Sequence, residues 1–290
     1  MKLLISGANG QLGLALSRRL RATHEVLALA RDRFDLADAG VCRRVLERER
    51  PDVLLNCAAY TAVDRAEAEP ELAHAINAEG PGHLANSCRE LGIFLVHFST
   101  DYVFDGLATR PYVETDVPAP TSVYGRSKLD GETRVTEAGA GHLILRLSWV
   151  YSNDGANFYK TMLRLAQDRP LLRVVADQRG TPNYTADLAD AVACVLNRPL
   201  PELRRASGLY HVTSQGQTSW CGFAAGIING AVLHGRVTVE AILTSEYPTA
   251  ATRPAYSVLD ANLFYATFAW SAPTWQDGLQ RCLADRNMSA

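Results

Sequence analysis

The fold of this chain is decided by its first stretch, Lys2-Leu3-Leu4-Ile5-Ser6-Gly7-Ala8-Asn9-Gly10-Gln11-Leu12-Gly13. The apolar run over residues 2–6 predicts a buried parallel strand. Leucines at positions 12, 16 and 20 then follow a helical period, which predicts a helix immediately afterwards. Gly7, Gly10 and Gly13 therefore fall in the turn between a strand and a helix.

Glycines in that turn suit the binding of a dinucleotide. The first permits a tight turn, the second lets backbone N–H groups approach a pyrophosphate at the helix N-terminus, and the third lets the helix pack closely on the sheet. The spacing is Gly-x-x-Gly-x-x-Gly rather than Gly-x-Gly-x-x-Gly. Because the motif stands between a strand and a helix, we predict a dinucleotide site here.

Strands and helices alternate over the first half of the chain. Further buried strands are predicted at 25–30, 51–59, 93–98 and 142–149, and helices at 38–49, 67–91 and 124–138. This order is typical of an α/β fold, a Rossmann-like doubly wound parallel sheet. Residues 104–123 are irregular and rich in proline, and we predict that they form a lid.

The pattern loosens beyond residue 150. Helices are predicted at 155–167, 185–197 and 219–230, separated by short strand-like runs at 171–175, 208–213 and 237–243. We predict an NAD(P)-binding domain over 1–150, to which later segments such as 176–197 return. Residues 151–290 would mainly form a smaller substrate-binding lobe.

Composition excludes several classes of protein. The 290 residues are 47% apolar and 21% charged, which is ordinary for a globular protein, and a net charge of −2 offers no basic surface for nucleic acid or an anionic membrane. No apolar run approaches a membrane span and no leader is visible. The cysteines lack zinc-site spacing, so free and mostly buried thiols in a cytoplasmic protein are expected. They are Cys42, Cys57, Cys88, Cys194, Cys221 and Cys282.

The residue that closes the second strand selects the cofactor. An acidic residue there binds a ribose 2′-hydroxyl and favours NAD, whereas an arginine pairs with the 2′-phosphate of NADP. The run ends Ala30-Arg31-Asp32, so Arg31 favours NADPH, while Asp32 keeps NADH as the alternative. Arg31 is otherwise a plain surface charge. Asp35 and Leu36 are suited to hold the adenine by its edge and face.

Tyr124 and Lys128 carry the predicted chemistry. Four residues apart on a helix, they share one face. A tyrosine titrates near pH 10, but an ammonium about 4 Å away favours the phenolate by about 4 kcal/mol, or about 3 pKa units, at an effective dielectric of about 20. We therefore predict a tyrosine tuned for general acid catalysis. Thr100, at the end of the fourth strand, would point its hydroxyl at the same substrate oxygen. Such pairs also arise by chance.

The roles of one aromatic and one charged residue have two interpretations each. Trp149 ends the strand at 142–149 and either stacks on a sugar or base or is an ordinary core indole. Arg253 either meets a substrate phosphate or is a surface charge. His97 lies inside an apolar strand and reads as a core histidine.

Longer blocks then carry a resemblance. They are Asn56-Cys57-Ala58-Ala59-Tyr60-Thr61-Ala62-Val63-Asp64, Ser99-Thr100-Asp101-Tyr102-Val103-Phe104-Asp105-Gly106, Val123-Tyr124-Gly125-Arg126-Ser127-Lys128-Leu129-Asp130-Gly131-Glu132 and Arg146-Leu147-Ser148-Trp149-Val150-Tyr151. With the glycine turn, Asp177-Gln178-Arg179-Gly180-Thr181-Pro182 and Arg253-Pro254, the chain resembles the dTDP-4-dehydrorhamnose reductase family of extended short-chain dehydrogenases over essentially its whole length.

The resemblance implies reduction of the 4-keto group of a dTDP-6-deoxyhexose by NADPH, most directly dTDP-4-dehydro-L-rhamnose to dTDP-L-rhamnose. Tyr124 would donate the proton, Lys128 would tune it and bind a ribose, and Thr100 would hydrogen-bond the carbonyl. The cofactor would be lined by Gly7, Gly10, Gln11, Leu12, Gly13, Arg31, Asp35, Leu36, Ala58, Ala59, Thr61 and Lys128. The substrate would be bound by Thr100, Asp101, Tyr102, Trp149 and Arg253.

Departures from the family keep alternatives open. Some members bind Mg²⁺ between subunits through glutamates, where this chain has Ala15 and Ala186-Asp187. We therefore predict no metal site, and a monomer or weak homodimer. Tyr256 and the pair Asn183-Tyr184 would mark a different dTDP-4-keto sugar. A non-catalytic regulatory subunit, an epimerase and a dehydratase are further alternatives.

Overall fold

The strands define a central sheet and three small two-stranded pairs. The computed structural model describes residues 1–231, 233 and 235–289. Over this range the strands are β1 Lys2–Ser6, β2 Glu25–Leu29, β3 Val53–Asn56, β4 Phe94–Thr100, β5 His142–Leu147, β6 Val150–Tyr151, β7 Leu171–Val175, β8 Arg179–Gly180, β9 Asn183–Tyr184, β10 Gly208–His211, β11 Thr218–Ser219 and β12 Thr238–Ile242.

Helices connect most of these strands. Over the same range they are α1 Gln11–Leu20, α2 Ala39–Glu49, α3 Val63–Ala66, α4 Pro70–His74, α5 Gly80–Leu91, α6 Val123–Glu137, α7 Phe158–Asp168, α8 Thr185–Leu196, α9 Leu200–Arg205, α10 Trp220–Gly230, α11 Asn262–Phe268 and α12 Trp275–Ser289. A π-helical turn, Ala75–Glu79, joins α4 to α5, and 3₁₀ turns lie at Asp101–Val103 and Thr244–Glu246.

The central sheet is parallel and doubly wound, as predicted. Its strand order is β10-β5-β4-β3-β1-β2, and every neighbouring pair runs parallel. One face is covered by apolar residues of α1, α8 and α11, the other by those of α2, α5 and α6. Strand order reverses at β1, between β2 and β3, which opens a crevice beside the carboxyl ends of the strands.

A second hydrophobic cluster lies in the C-terminal half of the chain. Strands β7 and β12 pair in parallel, and α7, α10 and α12 pack with them around Tyr151, Tyr159 and Phe223. Helix α8 and strand β10 belong instead to the central layer. A division of the chain at residue 150 stays a prediction, while these contacts show which C-terminal elements support the parallel sheet.

Several predicted elements have different bounds in the structure. The helix predicted over 67–91 begins at Pro70, whose ring is favourable at a first helical position, and its course is interrupted by the π-helical turn. The run predicted as a strand at 208–213 is β10, an edge strand of the central sheet. The strand at 51–59 is confined to Val53–Asn56, because the small residues after it turn away at the sheet edge.

The role of residues 104–123 as a lid stays a prediction. This segment is held to residues 258–260, where Tyr112 N donates to Val258 O and Asp260 N donates to Tyr112 O. The Tyr112 ring stacks on Phe104 at a centroid distance of 4.0 Å, within a small cluster of its own. Residues 104–123 do not line the central cleft, and Glu114 of this segment accepts from His211 N of β10 at 2.9 Å.

A buried ion pair joins α6 to the sheet. Arg146 on β5 donates to both carboxylate oxygens of Glu132, at 2.9 and 2.6 Å, and both side chains are almost wholly buried. Ser99 on β4 also donates its hydroxyl to Glu132. A buried carboxylate is tolerated only when its oxygens are satisfied in this way. The pair therefore sets where α6 lies against β4 and β5.

Gly131 allows α6 to approach the π-helical turn. A Cβ at Gly131 would lie 2.1 Å from the carbonyl oxygen of Asn77. We expect Gly131→Ala to lower the free energy of unfolding by about 1–3 kcal/mol through overpacking, which exceeds the roughly 1 kcal/mol that alanine gains in a helix. Urea unfolding measures this. Gly40→Ala on exposed α2, where the nearest atom is the movable Arg44 guanidinium, is the control and should not destabilise. Equal stability of the two variants would contradict the close approach.

Candidate active site

A cleft of about 1000 Å³ opens at the carboxyl ends of the central strands. One wall is the glycine turn with the residues after β3, the floor is the end of β4 and the start of α6, and the opposite wall comes from the second cluster. Predicted site residues that line the cleft are Gly10, Gln11, Leu12, Ala58, Ala59, Thr61, Thr100, Asp101, Tyr102, Tyr124, Lys128, Trp149 and Arg253. The structure thus brings together most residues that sequence analysis singled out.

The glycine turn has the geometry that a dinucleotide requires. Gly7 adopts a positive φ of 64°, and a Cβ there would lie 2.7 Å from the backbone nitrogen of Ala58. A Cβ at Gly13 would lie 2.3 Å from Gly7 O. Helix α1 starts after Gly10 with no side-chain cap, so its first N–H groups face the cleft unblocked. These residues fit the pyrophosphate of a dinucleotide cofactor.

Tyr124, Lys128 and Thr100 converge on the floor of the cleft. Helix α6 is capped by Ser122, whose hydroxyl accepts from Gly125 N, so Tyr124 stands in its first turn and Lys128 one turn later. Thr100 ends β4, and its hydroxyl donates to Asp101 Oδ1 at 3.1 Å and accepts from Tyr102 N at 3.2 Å. The same hydroxyl acts on Tyr124 in the direction that lowers the Tyr124 pKa. The Tyr102 ring meets Tyr124 edge-on at a centroid distance of 5.6 Å.

Burial, rather than the lysine, dominates the acidity of Tyr124. Desolvation raises its pKa to about 12, the Thr100 hydrogen bond opposes this, and the charge of Asp101 adds to it. The expectation that Lys128 lowers this pKa is therefore wrong for the protein without cofactor. The reason is that the Lys128 ammonium donates to Phe98 O at 2.7 Å instead. Tyr124 consequently keeps its proton at neutral pH.

Lys128 is itself perturbed. Burial lowers its pKa to about 8, and the charge of Glu132, one turn further along α6, partly restores it. His97 faces Lys128 from β4, and burial followed by the Lys128 charge holds the pKa of His97 well below its usual value. Lys128 therefore titrates close to physiological pH.

Asp101 and Tyr102 form the edge of the floor beside Thr100. Burial raises the pKa of Asp101 to about 7, against hydrogen bonds from Ser257 and Thr100. Burial also raises the pKa of Tyr102, which the charge of Arg253 partly offsets. Asp101 can thus hold or release a proton near neutrality, and Tyr102 stays neutral.

Asn77 ties the cofactor side to the catalytic helix, and sequence analysis missed it. Its side chain accepts from Tyr60 N at 2.8 Å and donates to Tyr60 O and to the Ser127 hydroxyl, both at 3.0 Å. It lies in the π-helical turn, a feature often found at functional sites. The loop after β3 and the turn between Tyr124 and Lys128 are therefore held by one amide.

Gln11 joins the glycine turn to the opposite wall. Its side-chain oxygen accepts from Ser152 at 3.0 Å and from Asn157 at 2.7 Å. Asn157 also caps α7, where its side chain accepts from Lys160 N. The position of α7 is in this way tied to the cofactor turn.

Five predicted cofactor residues do not line this cleft: Gly7, Gly13, Arg31, Asp35 and Leu36. Arg31 is exposed and pairs with Asp35 at 3.1 Å. Leu36 is 3% exposed and packs beside Gly80 in the core, because α5 covers it, so it offers no face to a ligand in this cleft. The roles of Arg31, Asp35 and Leu36 toward the adenosine end of a cofactor stay predictions.

Arg253 and Trp149 reach the cleft but already have partners. The Arg253 guanidinium meets both oxygens of Asp64, at 2.9 and 2.7 Å. Trp149 stacks on Trp220 at a centroid distance of 3.6 Å. Asn183, Tyr184 and Tyr256, expected near a substrate, do not line the cleft. Asn183 is buried because its amide binds Ser148 O, Ser148 Oγ and Thr181 O.

His97 and Asp187, which lies at the position where some family members have a metal-binding glutamate, are both engaged by neighbouring side chains. The Nδ1 atom of His97 lies 3.1 Å from the Asn56 side chain, whose oxygen accepts from Ser6. Asp187 pairs with Arg281 at 2.7 Å. Among the residues that the structure describes, no three His, Cys, Asp or Glu side chains are grouped to hold a metal ion. None of the helices in that same range is both long and apolar enough to span a bilayer.

Comparisons with known proteins agree with this geometry. The family model described as RmlD substrate binding domain matches residues 1–288. A dTDP-4-dehydrorhamnose reductase of Burkholderia thailandensis is 43% identical, over 98% of this chain and 99% of that protein. The crystal structure of a dTDP-4-dehydrorhamnose reductase from Bacillus anthracis in complex with NADP is 37% identical, with a TM-score of 0.92 over 98% of this chain and 99% of that one.

A second solved structure, a dTDP-4-dehydrorhamnose reductase orthologue from Clostridium acetobutylicum, is 37% identical and has a TM-score of 0.93 over 99% of this chain and 100% of that one. Sequence and fold therefore agree along the whole chain. This protein belongs to the dTDP-4-dehydrorhamnose reductase family, a family of nucleotide-sugar ketoreductases.

Proposed function

We propose that this protein reduces the 4-keto group of a dTDP-4-keto-6-deoxyhexose with NADPH, most directly dTDP-4-dehydro-L-rhamnose to dTDP-L-rhamnose. The observation that carries the proposal is the meeting of Thr100, Tyr124 and Lys128 in the same cleft as the glycine turn. The names of the similar proteins support the substrate class. Tyr124 and Lys128 are both present, which argues against a non-catalytic subunit.

The chain's own residues supply the proton and the orientation. A bound nicotinamide supplies the hydride that the ketone carbon accepts. Tyr124, neutral because burial raises its pKa to about 12, donates its proton to the oxygen that becomes an alkoxide. The Thr100 hydroxyl, which lines the cleft with Tyr124, orients the substrate oxygen. Proton donation and orientation of this kind are standard contributions to carbonyl reduction.

Lys128 supplies positive charge under the reacting oxygen. Its ammonium donates to Phe98 O at 2.7 Å, so the main chain of β4 holds it at the floor of the cleft, which Lys128 lines. A cation here favours the Tyr124 phenolate that remains after proton donation. In this proposal Lys128 also binds the cofactor ribose.

NADPH is the proposed cofactor, with NADH as the alternative. A similar structure is described in complex with NADP, and Arg31 is exposed at the end of β2. The ion pair between Arg31 and Asp35 lies at the surface and contributes little free energy, so a 2′-phosphate can replace the Asp35 carboxylate as the partner of Arg31. Residues Gly7, Gly10, Gln11, Leu12, Gly13, Ala58, Ala59 and Thr61 would hold the rest of the dinucleotide.

The structure gives less support to the alternative that the substrate is a different dTDP-4-keto sugar. Tyr256 and the pair Asn183-Tyr184, the departures that suggested it, do not line the cleft. We propose a monomer or weak homodimer in the cytoplasm, without nucleic-acid or membrane partners. All six cysteines are unpaired, which fits a reducing compartment.

Removal of the proton donor tests the mechanism. We expect Tyr124→Phe to lower kcat by about 10²–10⁴-fold, the usual worth of a general acid, with little change in NADPH affinity. NADPH oxidation with dTDP-4-dehydro-L-rhamnose measures the rate, and fluorescence titration measures NADPH binding. Tyr256→Phe, which removes a hydroxyl away from the cleft, is the matched control. Wild-type kcat in Tyr124→Phe would refute the assignment.

Arg31 tests the choice of cofactor. We expect Arg31→Ala to raise the KM for NADPH by about tenfold, because a charge-assisted phosphate contact of about 1.4 kcal/mol is lost, and to leave that for NADH unchanged. Arg33→Ala, an exposed neighbour, is the control. An unchanged NADPH KM in Arg31→Ala would place the 2′-phosphate elsewhere.

The pH profile tests Lys128. Burial lowers its pKa from 10.5 to about 8, so the protonated fraction falls as the pH rises through 8. We expect kcat/KM, which reports the free enzyme, to decline above that pH. A Lys128→Arg variant that retains measurable activity should lose this alkaline limb, because a guanidinium does not deprotonate there. A wild-type profile that stays flat to pH 10 would contradict the role of Lys128 charge.

A further inference from the structure

An aromatic wall stands opposite the glycine turn, made of Trp149, Trp220 and Phe158. The Trp149 and Trp220 rings are parallel, with 3.6 Å between centroids and 7° between planes. Phe158, the first residue of α7, tilts onto Trp220 at 4.6 Å. All three line the cleft and remain partly exposed there. Trp220 was not singled out by its sequence, since no local motif surrounds it.

The backbone of Trp149 is held in a rare conformation. Its φ is 41°, a region that bulky side chains seldom occupy and that persists only where the surroundings impose it. Asn183 imposes it from both sides, since Asn183 N donates to Trp149 O at 3.1 Å and the Asn183 amide donates to Ser148 O at 2.6 Å. The conformation turns the indole out of the path of β5 and into the cleft wall.

The indole of Trp149 is enclosed on its second face by Gly180. A Cβ on Gly180 would lie 2.4 Å from Cε2 of Trp149, so only glycine leaves room for the ring. Gly180 and Trp220 are themselves linked, because β8 pairs with β11 and Ser219 of β11 caps the helix that Trp220 begins. Trp149 therefore lies between Gly180 and Trp220, and the pairing of β8 with β11 fixes the distance between these two residues.

A core role alone does not account for this arrangement. A Trp buried for packing would need neither a positive φ nor a partner that is partly exposed beside the same cleft. A rigid stack that presents ring edges to a ligand removes the rotamer freedom that binding would otherwise have to restrict.

We propose that Trp220 is a positioning residue for the substrate: by stacking on Trp149, it fixes the indole against which the sugar of the dTDP-linked substrate is held. This inference rests on the proposed function. Trp220 acts through Trp149, and Gly180 provides the space that the stack requires. Loss of the stack should therefore weaken substrate binding and leave the cofactor site, on the opposite wall, unchanged.

Kinetics of three variants test the proposal. Trp220→Leu should raise the KM for the dTDP-sugar by about tenfold, the upper size of an aromatic pair, with less change in kcat and none in the KM for NADPH. Trp220→Phe, which keeps a ring, should restore most of the affinity. Gly180→Ala, which displaces the indole without touching Trp220, should resemble Trp220→Leu. It also provides a second route if Trp220→Leu does not fold.

Circular dichroism reports the stack without any turnover. Two parallel indoles in contact produce an exciton couplet in the far ultraviolet, which Trp220→Phe and Trp149→Phe should each abolish. Trp270→Phe is the matched control, because Trp270 packs on Phe264 and Tyr265 away from the cleft, and it should keep both couplet and KM.

The outcomes separate the inference from the function on which it rests. An active wild-type protein whose Trp220→Leu variant keeps its substrate KM overturns the role of Trp220 alone. A couplet that survives Trp220→Phe overturns the stack. A wild-type protein without turnover on any dTDP-4-keto-6-deoxyhexose overturns the proposed function, and with it the substrate role of Trp220, even if the couplet behaves as expected.

Discussion

Buried hydrogen bonds attach α6 to the end of β4, and the geometry of the site follows from this attachment. Two side chains one turn apart on α6 hold adjacent residues of the strand: Lys128 binds Phe98 O, and Glu132 binds the Ser99 hydroxyl. Arg146, which lies opposite Ser99 in the register, neutralises the Glu132 carboxylate. Because the Lys128 and Glu132 side chains are buried, α6 cannot shift along β4 without leaving a buried charge unpaired. Thr100, the next residue of β4, is in this way kept against Tyr124.

Burial then gives each titrating group its state. The same removal from water pushes the pKa of Tyr124 up and that of Lys128 down, since it opposes the charged form of both. The tyrosine is left as a neutral donor and the lysine as a cation close to its midpoint. An enzyme that reduces a ketone needs the first property in its ground state, and the second favours the phenolate left behind. Burial, rather than a contact between the two residues, is the main cause of both pKa shifts.

Long-range hydrogen bonds connect the two walls of the cleft. Gln11 of the glycine turn bonds to Ser152 and Asn157, Asn77 bonds the loop after β3 to α6, and Asp64 bonds to Arg253. The aromatic wall is similarly assembled from positions 149, 180 and 220. Each contact joins residues far apart in the chain, so together they fix the position of the cofactor surface relative to the substrate surface. This explains how a wall made from the C-terminal half can serve chemistry placed on the central sheet.

The parallel doubly wound sheet, the glycine turn and the family indicated by the Tyr124 and Lys128 blocks could all be predicted from the amino-acid sequence. These features are local: apolar periodicity, turn chemistry and spacing along one helix are written in neighbouring residues. Other features became visible only in the folded chain: the acidity of Tyr124, the partner of Arg253, the burial of Asn183 and Leu36, and the stacking of Trp149 on Trp220. Desolvation and pairing depend on which distant segments surround a group, and no pattern within a single stretch of chain contains that information.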